Sequence, residues 1–373
     1  MRILIVFVAL CFFLFGCITP YELRGVEQVD GILVVEGIIT DDESIITLSR
    51  SRRLDDDRWA QDFVFGARVY VERDDGRLFP AELPDHNVWP PSYSIRNGKL
   101  DPNSRYRLRI EIDENGSSYL YFSEFSHPII TPEIDSIFWM KRGPRQPVTI
   151  HVATHSPDNE VLFYRWSFRE DWEIQSEVFL DGFPFRCWNY SYSTEIMLGS
   201  AERTTFGRVT DIIHEISPSN NRLSVLYRIE VTQNAISRRA HTYFENIRQN
   251  AVQGGSIFAP TPSSLRGNIF SATDPNRHVI GFIEVSTTTQ KRLYIRRGDG
   301  VFEPSFSECL RLWTFDEIYG DSCFPMPPDQ CNPLEMGFVV YEDLPNSPTL
   351  YILKICVDCT YFGTEQRPYD WPN

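Results

Sequence analysis

The 373-residue chain carries 51 acidic residues against 36 Lys and Arg residues, which gives a formal net charge of −15. This surplus of negative charge disfavours binding to nucleic acids and to anionic lipid head groups. The composition, with 42% hydrophobic and 23% charged residues, is typical of a globular protein. Because the length exceeds what one core of about 100–200 residues accommodates, we expect two domains or one large composite β domain.

The chain begins with a segment that is typical of a secretory signal peptide. Residues 3–15 form an apolar run behind Arg2, and this run is shorter than the roughly 20 residues that a membrane-spanning helix needs. Cys17 follows the small residue Gly16 in the sequence LFGC, which resembles the lipobox of bacterial lipoproteins, where the thiol is acylated and becomes the new N-terminus. We predict a signal peptide over 1–16 and lipidation at Cys17. An ordinary cleaved signal peptide and an uncleaved anchor are the alternatives.

Residues 17–130 predict a β-sandwich of the immunoglobulin-like kind. The apolar run 32–39 and the polar turn at 41–43 indicate a hairpin,. From Tyr106 to Ile112 apolar residues alternate with charged ones, and this period of two places one face of a strand in a core. Prolines then interrupt the pattern, so we place a domain boundary near residue 130.

Residues 131–373 predict a larger, mainly antiparallel β domain with one helix. Ala240, Phe244 and Ile247 recur at helical spacing after Ser237, a good N-cap,, so we predict a helix near 237–252 whose apolar residues lie in the core. The predicted strands of this domain span 136–140, 148–154, 161–168, 223–231, 279–286, 292–296, 337–341 and 350–357.

Eight cysteines are present, and six remain when Cys11 in the signal peptide and Cys17 are set aside. The six disulfide candidates are Cys187, Cys309, Cys323, Cys331, Cys356 and Cys359. An even number of cysteines in an exported protein favours disulfides, although six cysteines allow 15 connectivities. The CVDC sequence at 356–359 is also compatible with zinc binding or a redox pair.

Several segments together resemble the domain-of-unknown-function family numbered 4249, lipoproteins found mainly in Bacteroidota. The matching segments are LVVEGIITDD (33–42), EIDSIFW (133–139), YRWSFREDWE (164–173), 236–270, VIGFIEVS (279–286), CVDC (356–359) and PYDW (368–371). The resemblance implies an exported, lipid-anchored protein of the outer envelope, sometimes encoded beside TonB-dependent transporters. It implies no known reaction.

Motifs that would indicate a catalytic centre are absent from the sequence. It contains no G-x-S-x-G, no G-x-x-x-x-G-K and no H-E-x-x-H,. His151 and His155 would point to one side of a strand and could bind a metal with a third ligand, but about 13 Å of strand separates them. Glu170 and Asp171 could serve glycoside hydrolysis if their carboxylates converged.

The remaining candidates are acidic turns and tryptophans. The runs 41–43 and 55–57 are acidic and offer oxygen ligands for Ca²⁺, or they are solvated turns without a ligand,. Trp139, Trp166, Trp172 and Trp188 would suit stacking on a sugar or contact with a protein partner if they were exposed, but alternation on strands places most of them in the core. We predict neither a resident metal nor a cofactor.

The expected function is therefore non-catalytic. We expect a protein lipid-anchored to the outer membrane, on its periplasmic or extracellular face, with a binding or accessory role such as assisting a TonB-dependent transporter. A structural or adhesive surface protein is the alternative, and an envelope hydrolase is the third hypothesis.

Overall fold

A computed structural model describes residues 31–52, 62–84, 90–114, 116–204, 207–252, 267–303, 309, 311–320, 330–345 and 347–372. These residues form a mainly β fold with several antiparallel sheets and one long helix. The predicted fold class is thus confirmed. No helix among the described residues is both long enough and apolar enough to cross a membrane.

The elements are numbered in chain order. The strands are β1 (Leu33–Ile39), β2 (Asp42–Arg50), β3 (Asp62–Phe63), β4 (Arg68–Arg73), β5 (Leu78–Glu82), β6 (Tyr93–Gly98), β7 (Tyr106–Glu114), β8 (Ser117–Ser123), β9 (Ile134–Lys141), β10 (Val148–His155), β11 (Phe163–Gln175), β12 (Arg186–Tyr192), β13 (Met197–Ser200), β14 (Arg208–Ile216), β15 (Leu226–Ala235), β16 (Ile269–Ser271), β17 (Val279–Gly281), β18 (Glu284–Val285), β19 (Thr288–Arg296), β20 (Trp313–Thr314), β21 (Phe338–Glu342) and β22 (Leu350–Leu353). The α-helices are α1 (Arg238–Val252), α2 (Phe315–Ile318) and α3 (Lys354–Val357).

The N-terminal body is one sheet of 11 strands around a single core, in the order β16-β8-β7-β4-β5-β6-β2-β1-β17, with β3 paired to β2 and β18 to β1. Alternate residues of β7, from Tyr106 to Ile112, are buried as the sequence predicts. They share one hydrophobic cluster with Val35 of β1 and Leu48 of β2. The sheet therefore encloses its core in the manner of a sandwich.

Three strands of this body come from much later in the chain. β17 and β18 pair in parallel with β1, and β16 pairs with β8. Gly281 permits the close approach to β1, since a Cβ there would lie 2.4 Å from the carbonyl oxygen of Val35. Residues 269–285 thus complete the N-terminal sheet although the predicted boundary assigns them to the second domain. The division near residue 130 itself stays a prediction.

The second body is also built from two β layers. The three-stranded sheet β14-β10-β9 faces the five-stranded sheet β12-β11-β15-β19, in which β13 also pairs with β11. Val152, Trp166 and Val231 belong to the hydrophobic cluster between these layers. The opposite face of the five-stranded sheet is polar along much of its length.

Helix α1 packs at one end of the polar face. Ser237 caps its first turn by accepting a hydrogen bond from the backbone N–H of Ala240 at 3.2 Å. Phe244 is buried in a cluster with Phe163 and Phe282, and Ile247 packs against that cluster. The predicted helix and its core residues are present.

The last part of the described chain forms a small sheet, β20-β22-β21, followed by α3 and an extended tail. The strand predicted over 350–357 ends at Leu353, and the helix Lys354–Val357 follows it. This part of the prediction was wrong because a short apolar run does not distinguish a strand from a helical turn.

Candidate functional site

The two faces of β11 differ sharply in character. Tyr164, Trp166 and Phe168 point into the core between the two sheets. The residues between them, Arg165 and Ser167, lie on the polar face because successive strand residues point to opposite sides. Antiparallel pairing of β11, β15 and β19 aligns Arg165, Asn234 and Thr288 in one row across the sheet. Ser167, Thr232 and Gln290 form the next row. Three strands thus present two rows of polar side chains.

These rows form one wall of an open cleft of about 560 Å³ between the two bodies, which we call the junction cleft. Its lining residues are Gly37, Ile38, Thr40, Asp41, Asp42, Glu43 and Ile45 of the first hairpin, and Arg165, Trp166, Ser167, Thr232, Asn234, Thr288 and Gln290 of the five-stranded sheet. The hydroxyl groups of Thr40 and Thr288, 2.6 Å apart, join the two walls. The volume lies within the range of about 300–1,000 Å³ that is usual for ligand sites.

Arg165 is the cation of the junction cleft. Its guanidinium lies 4.4 Å from the ring centroid of Phe244. In the part of the chain that the structure describes, this side chain makes no hydrogen bond and no ion pair. Burial lowers the pKa of the guanidinium, and the charge of Glu36 partly offsets that effect. Arg165 therefore has hydrogen-bond donors available for a ligand.

The acidic turn supplies the opposite charge. Asp41 accepts a hydrogen bond from the backbone N–H of Leu100 at 2.9 Å, and Glu43 accepts one from the Ser94 hydroxyl. Asp42 is exposed, with its backbone in the left-handed region at φ 62°, and it has no side-chain partner within the described ranges. Its carboxylate is consequently the uncommitted anion of the turn.

A second cavity, of about 470 Å³, lies beside Gly31 at the edge of the N-terminal sheet. Its two cations share an ion-pair partner within the cavity, because Arg50 and Arg277 both contact Glu114. Arg277 also donates to the Tyr121 hydroxyl at 3.2 Å. The junction cleft, whose charges are not paired with each other in the described residues, is therefore the better candidate for a binding site.

The other end of the polar face is covered by the C-terminal tail. Arg228 donates to Asp171 at 2.8 Å and to Asp370 at 2.7 Å. The indole N–H of Trp371 donates to Glu173 at 3.3 Å. The hydrogen bond from Arg228 holds the pKa of Asp370 below its usual value. The tail thus closes this end with an ion-pair network and leaves the junction cleft open.

Most of the chain matches the model of one protein family. Residues 18–292 match the model of a family described as a domain of unknown function, DUF4249. The chain belongs to the DUF4249 family. No curated protein matches the sequence significantly. The matched range of this DUF4249 protein includes both walls of the junction cleft, whereas the C-terminal tail lies beyond it.

The two carboxylates that the sequence of this DUF4249 protein offers for glycoside hydrolysis do not converge. Glu170 and Asp171 are each about 1% exposed, but they contact different groups on opposite sides of β11. Glu170 accepts a hydrogen bond from Tyr227 at 2.8 Å and pairs with Arg222 on the core side. Burial raises the pKa of Glu170, but contacts with His214 and its other partners outweigh this effect and leave it lowered. These carboxylates hold strands together.

The two histidines are likewise committed to separate contacts. His151 stacks on Phe138 with the ring centroids 5.0 Å apart and lies 2.9 Å from the Thr149 hydroxyl. His155 contacts Asp135 at 2.8 Å. Within the described residues, no group of three or more His, Cys, Asp and Glu side chains is placed to hold a metal ion. The acidic run 55–57 lies outside the described residues.

The cysteines of the CVDC sequence belong to two different disulfides. Cys359 is bonded to Cys187 and Cys356 to Cys309, so the two do not form a redox pair with each other. Cys331 is also disulfide-bonded. Cys323 and Cys17 lie outside the described residues, and lipidation of Cys17 stays a prediction.

Most of the tryptophans contribute to the core. Trp166 and Trp172 are buried, Trp139 packs against the same cluster, and Trp188 is partly buried. Trp166 is among the residues that line the junction cleft, but its side chain lies in the core, where the indole N–H donates to the buried Gln233 at 2.8 Å. The exposed aromatic residues of this sheet are instead two tyrosines of β12, at positions 190 and 192, which sequence analysis did not identify.

Arg165 and its polar neighbours were also missed. The signal that could have found Arg165 is its position between Tyr164 and Trp166, where the aromatic residues face the core and the arginine must face outward. The rows formed with β15 and β19 depend on strand register, which the local sequence pattern does not specify.

Proposed function

We propose that this DUF4249 chain is a non-catalytic binding protein of the cell envelope, lipid-anchored to the outer membrane through Cys17, which binds its ligand in the junction cleft and assists a TonB-dependent transporter. The observation that carries the binding role is the cleft itself. It lies between two bodies, and both contribute polar side chains to it. Sites at such junctions are a common location for small-ligand binding.

The anchor is supported by the sequence around Cys17. Acyl chains contribute about 0.8 kcal/mol for each buried CH₂ group, and more than one chain is needed for stable attachment. A lipid would therefore hold this acidic chain at a membrane whose anionic head groups repel it.

The anchor is tested by metabolic labelling with a fatty-acid analogue. We expect the wild type to carry the label and to remain in the membrane fraction, and the Cys17→Ala variant to lose both. Cys11→Ala is the matched control and should behave like the wild type. An unlabelled wild type, or a labelled Cys17→Ala variant, would contradict the assignment.

The accessory role is tested by cross-linking intact envelopes and purifying the lipidated chain. A TonB-dependent transporter should be recovered with the wild type, and its yield should fall when Cys17→Ala removes the anchor. If the wild type recovers no stable partner after cross-linking, the accessory role is wrong.

The exposed tyrosines favour the second candidate, a structural or adhesive surface protein. Tyr190 and Tyr192 are 59% and 55% exposed, and the guanidinium of Arg169 lies 5.5 Å and 5.8 Å from their ring centroids. Such a cluster is suited to contact with a large partner. Release of the chain from whole cells by an added protease would support this role, while complete protection of the chain would exclude it.

A further inference from the structure

The junction cleft carries two uncommitted charges of opposite sign on its two walls. On the wall formed by the five-stranded sheet, Arg165 makes no hydrogen bond or ion pair with any described residue. On the wall formed by the first hairpin, the same holds for Asp42 in the described part of the chain. Each group binds an opposite charge, so the cleft suits a ligand that carries both.

The environment of Arg165 favours a carboxylate. A guanidinium presents paired N–H donors whose geometry matches the two oxygens of a carboxylate. The Ser167 hydroxyl, on the next row of the same strand, is exposed and lines the cleft. It can donate a further hydrogen bond to an anion held there. Phe244 packs against the guanidinium from the α1 side, which restricts the orientations that Arg165 can adopt.

The environment of Asp42 favours an ammonium group. The other two carboxylates of the turn, Asp41 and Glu43, accept hydrogen bonds from Leu100 and Ser94. They add negative charge near Asp42 but are already bound to these donors. The left-handed backbone at Asp42 fixes its position at the tip of the hairpin. A cation near this turn is therefore attracted by three carboxylates and contacted by one that is uncommitted.

We propose that the ligand of the junction cleft is a zwitterion with a carboxylate and an ammonium group, of the class of amino acids and short peptides, whose carboxylate binds Arg165 and whose ammonium group binds Asp42. This inference rests on the proposed binding function and specifies its ligand. A purely anionic ligand would meet the repulsion of the acidic turn, and a purely cationic one would leave Arg165 without a partner.

The test measures binding of free amino acids and unblocked dipeptides to the full wild-type chain by calorimetry and ligand-detected NMR. The same compounds are then measured with the N-terminus acetylated or the C-terminus amidated. We expect saturable binding of at least one unblocked compound, and each blocking group should weaken it by about 10-fold or more, because each removes one charge-assisted contact. This comparison needs no variant.

The variants assign each charge to its partner. Arg165→Gln should weaken binding of the unblocked compound by about 10-fold or more, and amidation should then cost nothing further. Asp42→Asn should behave in the same way toward acetylation. Arg165→Lys, which keeps the charge, should retain part of the affinity and guards against misfolding of the glutamine variant. Arg105→Gln and Asp113→Asn, at exposed positions outside the cleft, should bind like the wild type.

Two outcomes would overturn the proposal. In the first, no unblocked compound binds at millimolar concentration. In the second, blocked and unblocked compounds bind equally. If either occurs while the lipidated chain still recovers its envelope partner, the zwitterion assignment fails and the accessory function stands. If unblocked compounds bind but no partner is recovered, the zwitterion assignment stands and the accessory function fails.

Discussion

Replacing Arg228 by methionine should lower the free energy of unfolding by about 3 kcal/mol, the scale expected when one partner of a buried ion pair is removed. The Arg228 side chain is 4% exposed and Asp171 is 1% exposed. Without Arg228, the one ion pair left to Asp171 among the described residues is that with Arg169 at 2.8 Å, and the Arg169 side chain is 41% exposed. Methionine preserves much of the packing, so the loss reports mainly on the unpaired buried charge.

The measurement is urea unfolding of the chain carrying Cys17→Ala, followed by tryptophan fluorescence. Arg292→Met is the matched control, because Arg292 contacts the same Asp370 at 3.0 Å but is 45% exposed. An exposed pair contributes about 1 kcal/mol or less. If Arg228→Met and Arg292→Met lowered the free energy of unfolding equally, the buried ion pair of Arg228 would contribute no more to stability than an exposed one.

Acid should reduce the difference between the Arg228→Met variant and its parent. The hydrogen bond from Arg228 lowers the pKa of Asp370 from 3.8 in the folded state. A carboxyl with a depressed folded pKa contributes stability above its unfolded pKa and loses it as the pH falls through the folded pKa. The part of the difference that arises from Asp370 should therefore be present above about pH 4 and decrease at lower pH.

Local sequence patterns predicted several of the elements but not the site. Alternation from Tyr106 to Ile112 predicted β7 because a period of two is encoded in neighbouring residues. The helix near 237–252 was predicted from apolar spacing and the Ser237 cap for the same reason. The junction cleft instead brings Asp42 and Arg165, more than 100 positions apart in the sequence, to the same cavity. That proximity depends on how two sheets pack.

The buried carboxylates illustrate the same limit. Two adjacent acidic residues such as Glu170 and Asp171 are expected to be exposed, and the flanking sequence does not identify the cations that pair with them. Their partners lie more than 50 residues away in sequence, with Arg222 bound to the first and Arg228 to the second. Burial of such charges becomes predictable only when the pairing of β11 with β15 is known.

The C-terminal tail provides the last prediction. The disulfide between Cys187 and Cys359 joins residues 172 positions apart, whereas Cys309–Cys356 spans 47. Replacing both cysteines of the first pair by serine should cost about 2–5 kcal/mol, and about 1 kcal/mol more than the same change in the second pair, because the longer loop restricts the unfolded chain more. Urea unfolding of the two double variants measures this difference.

Limited proteolysis should also cleave the tail faster when Cys359 is released, since only non-covalent contacts such as that of Thr364 with Trp188 would then hold it to β12. Equal stability of the two variants, with an uncleaved tail, would mean that the ion pairs of Asp370 and the packing of Trp371 hold the tail without the disulfide.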